Sequence, residues 1–158
     1  MSKKIKIGKK LEPKKDTTII DKKVFDQKNQ IPMINQLYLN EDFEGKKEII
    51  KSIKQKINSY KSQDTKKDKL DDNFINYTDL LEKLVVSKLK CHYCRVNTLI
   101  MYENKREPLQ WTLDRIDNTQ GHSNINTVVC CLKCNLDRRC TNDKKFKFTK
   151  QMRLIKKI

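Results

Sequence analysis

The sequence predicts an α+β fold in which a small, cysteine-stapled ββα core follows helices and is flanked by basic tails. Only 36% of the 158 residues are hydrophobic and 35% are charged, so a large apolar core is excluded and a small core needs a staple. All six cysteines, both histidines and the single tryptophan lie between Cys91 and Cys140, after two stretches of helical period.

The first half of the chain divides into a basic arm and a basic helix. Residues 1 to about 30 are rich in lysine and have no sustained apolar period, so we expect residues 1–45 to form a largely flexible basic arm. The mildly apolar stretch 31–43 could dock on another surface and is not assigned. Residues 46–75 are expected to form an amphipathic helix over 46–61 and then a polar linker. The lysine face of this helix either lies on phosphates or is solvated. Its apolar stripe consists of Ile49, Ile50, Ile53, Ile57 and Tyr60.

A second helix opens the segment 76–140, which contains all the cysteines. Thr78 is its predicted cap, and Asp79 lies in the first turn, where the helix dipole favours an anion. Two short β-branched or aromatic runs follow and predict a hairpin, after which the last cysteine pair opens a short helix. The buried stripe of the second helix is predicted to be Leu80, Leu81, Leu84 and Val85.

The charge balance favours a polyanionic partner, of which nucleic acid is the commonest. Lys and Arg number 36 against 20 Asp and Glu, which gives a net charge of +16. Beyond position 137 nine basic residues stand against one acidic residue, so residues 141–158 are expected to be a basic tail. The tail from Arg138 onward, together with the N-terminal arm, is the predicted phosphate-binding surface.

The chain has no apolar stretch near the ~20 residues that a membrane span requires, and it opens on charge, with no apolar signal segment. We therefore expect no membrane partner and an intracellular, reducing compartment. Cysteines in such a compartment are better explained as metal ligands than as disulfides.

Two C-x2-C pairs predict one structural Zn²⁺, because four thiolates supply the tetrahedral donor set that zinc prefers. The first pair is Cys91 and Cys94, and the second is Cys131 and Cys134. Three neighbouring groups compete for these roles. We expect Cys130 to be a small buried side chain, Cys140 a spare thiol, and His92 to point away from the metal.

The segment from Trp111 to Arg139 resembles the HNH endonucleases, the ββα-metal or His-Me finger nucleases. The resemblance is to the branch with two C-x2-C knuckles, and extends to HNH proteins of phages and large DNA viruses. It covers residues from about 76 to 140. The residues that carry it are the run L-D-R-I-D-N, then G-H and N, then C-C-x2-C-N-x2-R-R.

The resemblance implies a catalytic divalent metal, Mg²⁺ or Mn²⁺, on two residues. Asp114 is at the position of the family's metal-binding aspartate, and Asn135 is at the position that completes the metal site after the last cysteine. Asn126 is at the position of the asparagine that shapes the loop. A carboxylate and an amide oxygen, with water and phosphate, suit Mg²⁺.

The sequence departs from the family at position 115, where the family usually has the general-base histidine. Arg115 stays protonated, so it cannot act as a base, but it can contact a phosphate. Three alternatives stay open. His122 supplies the imidazole from another direction, or metal-bound hydroxide attacks without a protein base, or the site is degenerate.

Two functions are consistent with these residues. The first is a metal-dependent HNH-type endonuclease or nickase acting on DNA, double-stranded or branched. The second is a catalytically impaired, zinc-stapled module that binds nucleic acid or is associated with a virion. The compartment is then the cytoplasm, the nucleus or a virus factory, and the oligomeric state is not predicted.

Overall fold

The computed structural model describes residues 21–156, which form an α+β fold. A 3-10 helix at Lys22–Phe25 precedes three helices: α1 (Gln27–Tyr38), α2 (Lys46–Lys66) and α3 (Tyr77–Val86). Two strands follow, β1 (Trp111–Arg115) and β2 (Thr127–Cys131), and then α4 (Leu132–Arg138) and α5 (Asp143–Ile155). The predicted order of hairpin and short helix is therefore confirmed.

The two strands form one antiparallel ribbon whose outer edges are covered. Trp111 pairs with Cys131 and Asp114 with Val128. The edge of β1 lies against α2, where the Leu113 amide donates to the Tyr60 hydroxyl at 3.0 Å. This cover satisfies backbone groups that an isolated two-stranded ribbon would leave unpaired.

The main core lies between the first three helices and one face of the ribbon. The predicted stripe of α2 is confirmed, since Ile49 and Ile53 are fully buried and the rest of the stripe packs against the core. In α3, Leu80 and Leu84 are fully buried. A second, smaller cluster surrounds the cysteines and includes the buried ring of Tyr93.

The expectation of a flexible arm over 1–45 is wrong for residues 21–45, which form helices packed on the core. Ile34 and Leu37 of α1 are buried, and so is the amide of Gln30. The Gln30 side chain accepts from the amides of Ile100 and Met101 at 2.6 and 3.1 Å and donates to the Met101 carbonyl. Helix α1 is short and has few apolar positions, so these gave no sustained period in the sequence. Residues 1–20 lie outside the described residues.

Three boundaries also differ from the sequence prediction. Helix α2 runs five residues past Lys61, into the predicted linker. Asn76, not Thr78, caps α3, because its side chain accepts from the Asp79 amide at 2.9 Å. Most of the predicted C-terminal tail is helix α5, whose Phe146 packs edge-on against Tyr93 at 5.0 Å between ring centroids. Among the described helices, none has the length and apolarity needed to span a membrane.

Candidate functional site: a four-thiol cluster beside a basic cleft

The four predicted zinc ligands lie together. The sulfur atoms of Cys91, Cys94, Cys131 and Cys134 all lie within 4.8 Å of one another, and the Sγ atoms of Cys94 and Cys131 are 3.9 Å apart. A tetrahedron with bonds of ~2.3 Å has edges of about 3.8 Å. These four cysteines can therefore bind one metal ion such as zinc.

Local backbone geometry brings the two pairs to one point. The first pair lies in the loop after α3, where the Cys91 amide donates to the Val96 carbonyl at 2.8 Å and Arg95 adopts a positive φ of 63°. In the second pair, Cys131 ends β2 and caps α4, and the Cys134 amide points at its sulfur at 3.4 Å. The amide of His92 donates to Val129 at 2.8 Å, which ties the first loop to β2.

The four thiols perturb the pKa values of one another strongly. A hydrogen bond from Cys131 is the main cause that lowers the pKa of Cys94 to about 7. The pKa of Cys134 is raised, because this thiol donates to Cys131. Without a bound cation only part of the set ionises, whereas a metal stabilises all four thiolates together.

The competing groups lie elsewhere, as predicted. Cys130 is fully buried beside Thr112, at 3.3 Å between Sγ and Oγ1, and burial raises the pKa of this thiol well above its usual value. Cys140 is exposed. His92 is half-buried with its ring edge-on to Tyr93, outside the group of four sulfurs.

A cleft of about 630 Å³ opens next to the cluster, between α2, β1 and α4. It brings together four of the sequence-predicted site residues, namely Asp114, Arg115, His122 and Asn135. Five cationic side chains line the same cleft: Lys56, Lys67, Lys69, Arg115 and Arg139. Asp114 is the single acidic residue among the lining residues, so the cleft attracts anions.

Asp114 lies at the base of this cleft, in a buried hydrogen-bond network. Its Oδ2 accepts from Arg138 Nε and from the Tyr93 hydroxyl, both at 2.5 Å, and its Oδ1 accepts from Arg138 Nη2 at 3.1 Å. Asp114 is 6% exposed and Arg138 is 1% exposed. Each carboxylate oxygen has two lone pairs, so Oδ1 retains capacity for one more partner.

Arg138 was predicted to bind phosphate, and this prediction is wrong. Its guanidinium is committed to Asp114, to the carbonyls of Arg115 and Thr141, and to the Asn118 side chain. A buried arginine with this many partners stabilises the contact between α4 and β1. Nothing in the spacing R-R distinguishes it from its exposed neighbour Arg139.

Asn135 and Arg115 have side chains at the cleft wall. Nδ2 of Asn135 donates to Thr112 Oγ1 at 3.1 Å and to the Leu113 carbonyl at 3.3 Å. Neither bond uses the Oδ1 atom of Asn135. Arg115 is half-buried, and one guanidinium nitrogen donates to the Gln120 carbonyl at 3.2 Å. The remaining donors of Arg115 are available to an anion in the cleft.

Asn126 lies outside the cleft and organises the hairpin loop. Its Oδ1 accepts from the Asp117 amide at 2.9 Å, and its Nδ2 donates to the carbonyls of Asp117 and Gly121 at 3.0 and 2.9 Å. The loop-shaping position that the sequence predicted for Asn126 matches these contacts. Its effect on the cleft is indirect, because these bonds shape the part of the loop that precedes His122.

His122 is held by residues that sequence reasoning missed. Its Nδ1 is 2.7 Å from Oδ1 of Asp64, which the sequence placed in a linker, and its ring stacks on Tyr60 with 4.6 Å between centroids. Burial is the main cause that lowers the pKa of His122, against the raising effect of Asp64. Asp64 gave no sequence signal, because a single acid in a polar stretch is typical of solvent exposure.

No protein-family model matches the chain, and no curated protein or solved structure shows significant similarity to it.

Replacing the proposed zinc ligands provides the first test. We expect one Zn²⁺ per chain by metal analysis and loss of the folded state in the Cys94→Ser, Cys134→Ser double variant, because the small core relies on the thiolate cross-link. Cys140→Ser is the matched control, since that thiol is exposed. Retained zinc and an unchanged melting curve in the double variant would contradict the assignment.

The buried ion pair between Arg138 and Asp114 gives a second prediction. Replacing Arg138 by methionine leaves the Asp114 carboxylate buried and without its charged partner, so we expect unfolding to become easier by about 3–5 kcal/mol in urea titration. Arg139→Met removes the same charge from the adjacent, exposed position and should change stability little. Equal effects of the two substitutions would refute the assigned role of Arg138.

Proposed function

We propose that this protein is a metal-dependent HNH-type endonuclease or nickase that hydrolyses DNA phosphodiester bonds and is held together by one structural Zn²⁺. The observation that carries the proposal is the meeting of Asp114, Arg115, His122 and Asn135 in one basic cleft. Asp114 and Arg115 lie near the end of β1, His122 lies in the loop that follows, and Asn135 lies in α4, so the fold brings three separate segments together.

The catalytic metal, Mg²⁺ or Mn²⁺, is proposed to bind Asp114 and Asn135. Two oxygens support this proposal. Oδ1 of Asp114 has one hydrogen-bond partner, the Arg138 guanidinium, and can accept another. The Asn135 side chain bonds Thr112 through its nitrogen, so its oxygen is not used in that bond. An oxygen donor set of this kind suits Mg²⁺. When bound, such a metal stabilises charge on the leaving oxygen and on the phosphate.

Substrate binding is proposed to be electrostatic and to run along the cleft. Lys67 and Lys69 follow the end of α2, and Arg139 follows α4, so positive charge lines two walls. Arg115 is proposed to contact the scissile phosphate, because a guanidinium binds two phosphate oxygens at once. Several cations lining one cleft favour a polyanion, and DNA is the proposed partner.

The alternative function is a zinc-stapled module that binds nucleic acid, or is associated with a virion, without catalysis. One observation favours it: Asp114 is already satisfied by Arg138 and Tyr93. A carboxylate with these partners is stable without a divalent metal. Under either function the free thiols are compatible with a reducing intracellular compartment, which is the proposed location, in the cytoplasm, the nucleus or a virus factory.

A cleavage assay separates the two functions. Zinc-loaded protein is incubated with supercoiled plasmid or a branched DNA junction, and we expect weak nicking with Mg²⁺ or Mn²⁺ and none when both are omitted. Asn135→Ala should lower the rate by about 10²-fold or more, because it removes a proposed metal ligand. Zinc content is measured in each sample, so that loss of the structural metal is not mistaken for loss of chemistry.

Asn124→Ala is the matched control, because Asn124 is exposed and lies outside the cleft. It should cleave at the wild-type rate. Binding of DNA by wild-type protein without cleavage of any nucleic acid by either metal would reject the nuclease and favour the binding module.

Salt dependence tests the binding surface. If Lys67 and Arg139 each neutralise one phosphate, the double variant Lys67→Gln, Arg139→Gln should bind duplex DNA more weakly and lower the slope of log affinity against log salt by about 1.8. The control Lys22→Gln, Lys47→Gln removes the same charge at exposed positions that do not line the cleft. An equal loss of slope in the control would place the surface elsewhere.

A further inference from the structure

The buried carboxylate of Asp64 contacts the buried imidazole of His122, and His122 lines the cleft. His122 is 4% exposed and Asp64 1% exposed. Oδ1 of Asp64 is 2.7 Å from Nδ1 of the ring, and Oδ2 accepts the backbone amide of His122, also at 2.7 Å. Asp64 therefore contacts both the ring and the main chain of the same histidine.

This geometry fixes the tautomer of the imidazole. An ionised carboxylate only accepts hydrogen bonds, so the proton of the neutral ring lies on Nδ1 and the lone pair lies on Nε2. Within residues 21–156, Nε2 makes no hydrogen bond, and His122 lines the cleft. The basic nitrogen is thus the one that remains available.

The ring plane is fixed as well. Tyr60 stacks on His122 at an interplanar angle of 29°, and the Tyr60 hydroxyl accepts from the Leu113 amide. Burial raises the pKa of Tyr60, so the hydroxyl stays protonated. From the other side, the Ile75 amide donates to the His122 carbonyl at 2.8 Å. The histidine is held by α2 and by the chain before α3, and β1 holds the hydroxyl of the stacked Tyr60.

Gly121 is required for this close approach. A Cβ at position 121 would lie 2.3 Å from the Lys69 carbonyl oxygen and 2.8 Å from Oδ2 of Asp64. Real Cβ atoms do not approach backbone so closely, so any side chain would push the loop away from α2 and separate the dyad. The pair Gly-His in the sequence thus reflects contact with Asp64.

We propose that Asp64 is a positioning residue for His122, and that this dyad supplies the general base that Arg115 cannot supply from β1. The inference rests on the proposed function. Nε2 of His122 takes a proton from water as the water oxygen bonds to phosphorus. The bond to the leaving 3′ oxygen breaks with its electron pair, and that oxygen takes a proton from solvent.

The surroundings keep the ring neutral near pH 7. Burial lowers the pKa of His122, and Arg115 on β1 lowers it further, while Asp64 on α2 and Asp114 on β1 raise it. A neutral imidazole with a free Nε2 is the form that accepts a proton. Other charged or titratable groups that line this cleft are Lys56, Tyr60, Lys67, Lys69, Arg139 and Cys140.

The pH dependence of cleavage tests the dyad. In Asp64→Asn the amide no longer selects the Nδ1–H tautomer, so we expect the rate to fall by about 10²-fold or more. The acid limb of the pH–rate profile should move to lower pH, because the carboxylate that raises the pKa of His122 is gone. A role limited to folding would not move this limb.

Asp68→Asn is the matched control. It removes the same charge four residues away at an exposed position that does not line the cleft, and should change neither the rate nor the limb. An unchanged acid limb in Asp64→Asn, or a rate within about twofold of wild type, would overturn the inference.

Nitrogen NMR of the zinc-loaded full chain gives a readout that does not depend on cleavage. With only two histidines in the sequence, the His122 ring is assigned by comparison with His122→Gln. The inference requires the Nδ1–H tautomer with a pKa below its usual value, and an Nε2–H tautomer overturns it whether or not the protein cleaves DNA. Absence of cleavage together with the Nδ1–H tautomer would instead reject the proposed function and keep the dyad geometry.

Discussion

Four sulfur atoms within 4.8 Å of one another impose the constraint on which the rest of this structure depends. They join the loop after α3 to the junction of β2 and α4, across a gap of 36 residues. With only 36% hydrophobic residues, the chain has little apolar surface with which to fix such a junction. The four thiols can hold one cation at this junction, and such a cation would fix the start of α4 beside β1.

The buried pair of Asp114 and Arg138 transmits this constraint to the cleft. Arg138 lies at the end of α4, Asp114 lies near the end of β1, and Tyr93 comes from the loop that carries the first cysteine pair. The same network explains why two functions compete for this site. It holds Asp114 in the same cleft as Asn135, yet it also satisfies the carboxylate through Arg138 and Tyr93.

The sequence could predict features that depend on local periodicity and on the spacing of metal-ligand residues. Paired C-x2-C motifs predicted the four-sulfur cluster, and the apolar stripe from Ile49 to Tyr60 predicted α2. Contacts between distant polar residues gave no comparable signal. Asp64 meets His122 across 58 positions, and Gln30 meets Met101 across 71, and each residue alone is typical of a solvated surface. Arg138 looked like a phosphate ligand because burial cannot be read from a basic pair.

We propose that a divalent metal binds between Asp114 and Asn135 in the presence of the phosphate backbone. The most direct measurement is a crystal structure of zinc-loaded protein with a short DNA duplex and Mn²⁺, in which the anomalous signal of manganese locates the ion. We expect a manganese peak in contact with oxygens of Asp114 and Asn135 and with a phosphate in the basic cleft. DNA bound in the cleft with no manganese at these residues, and with Asp114 still paired only to Arg138 and Tyr93, would contradict it.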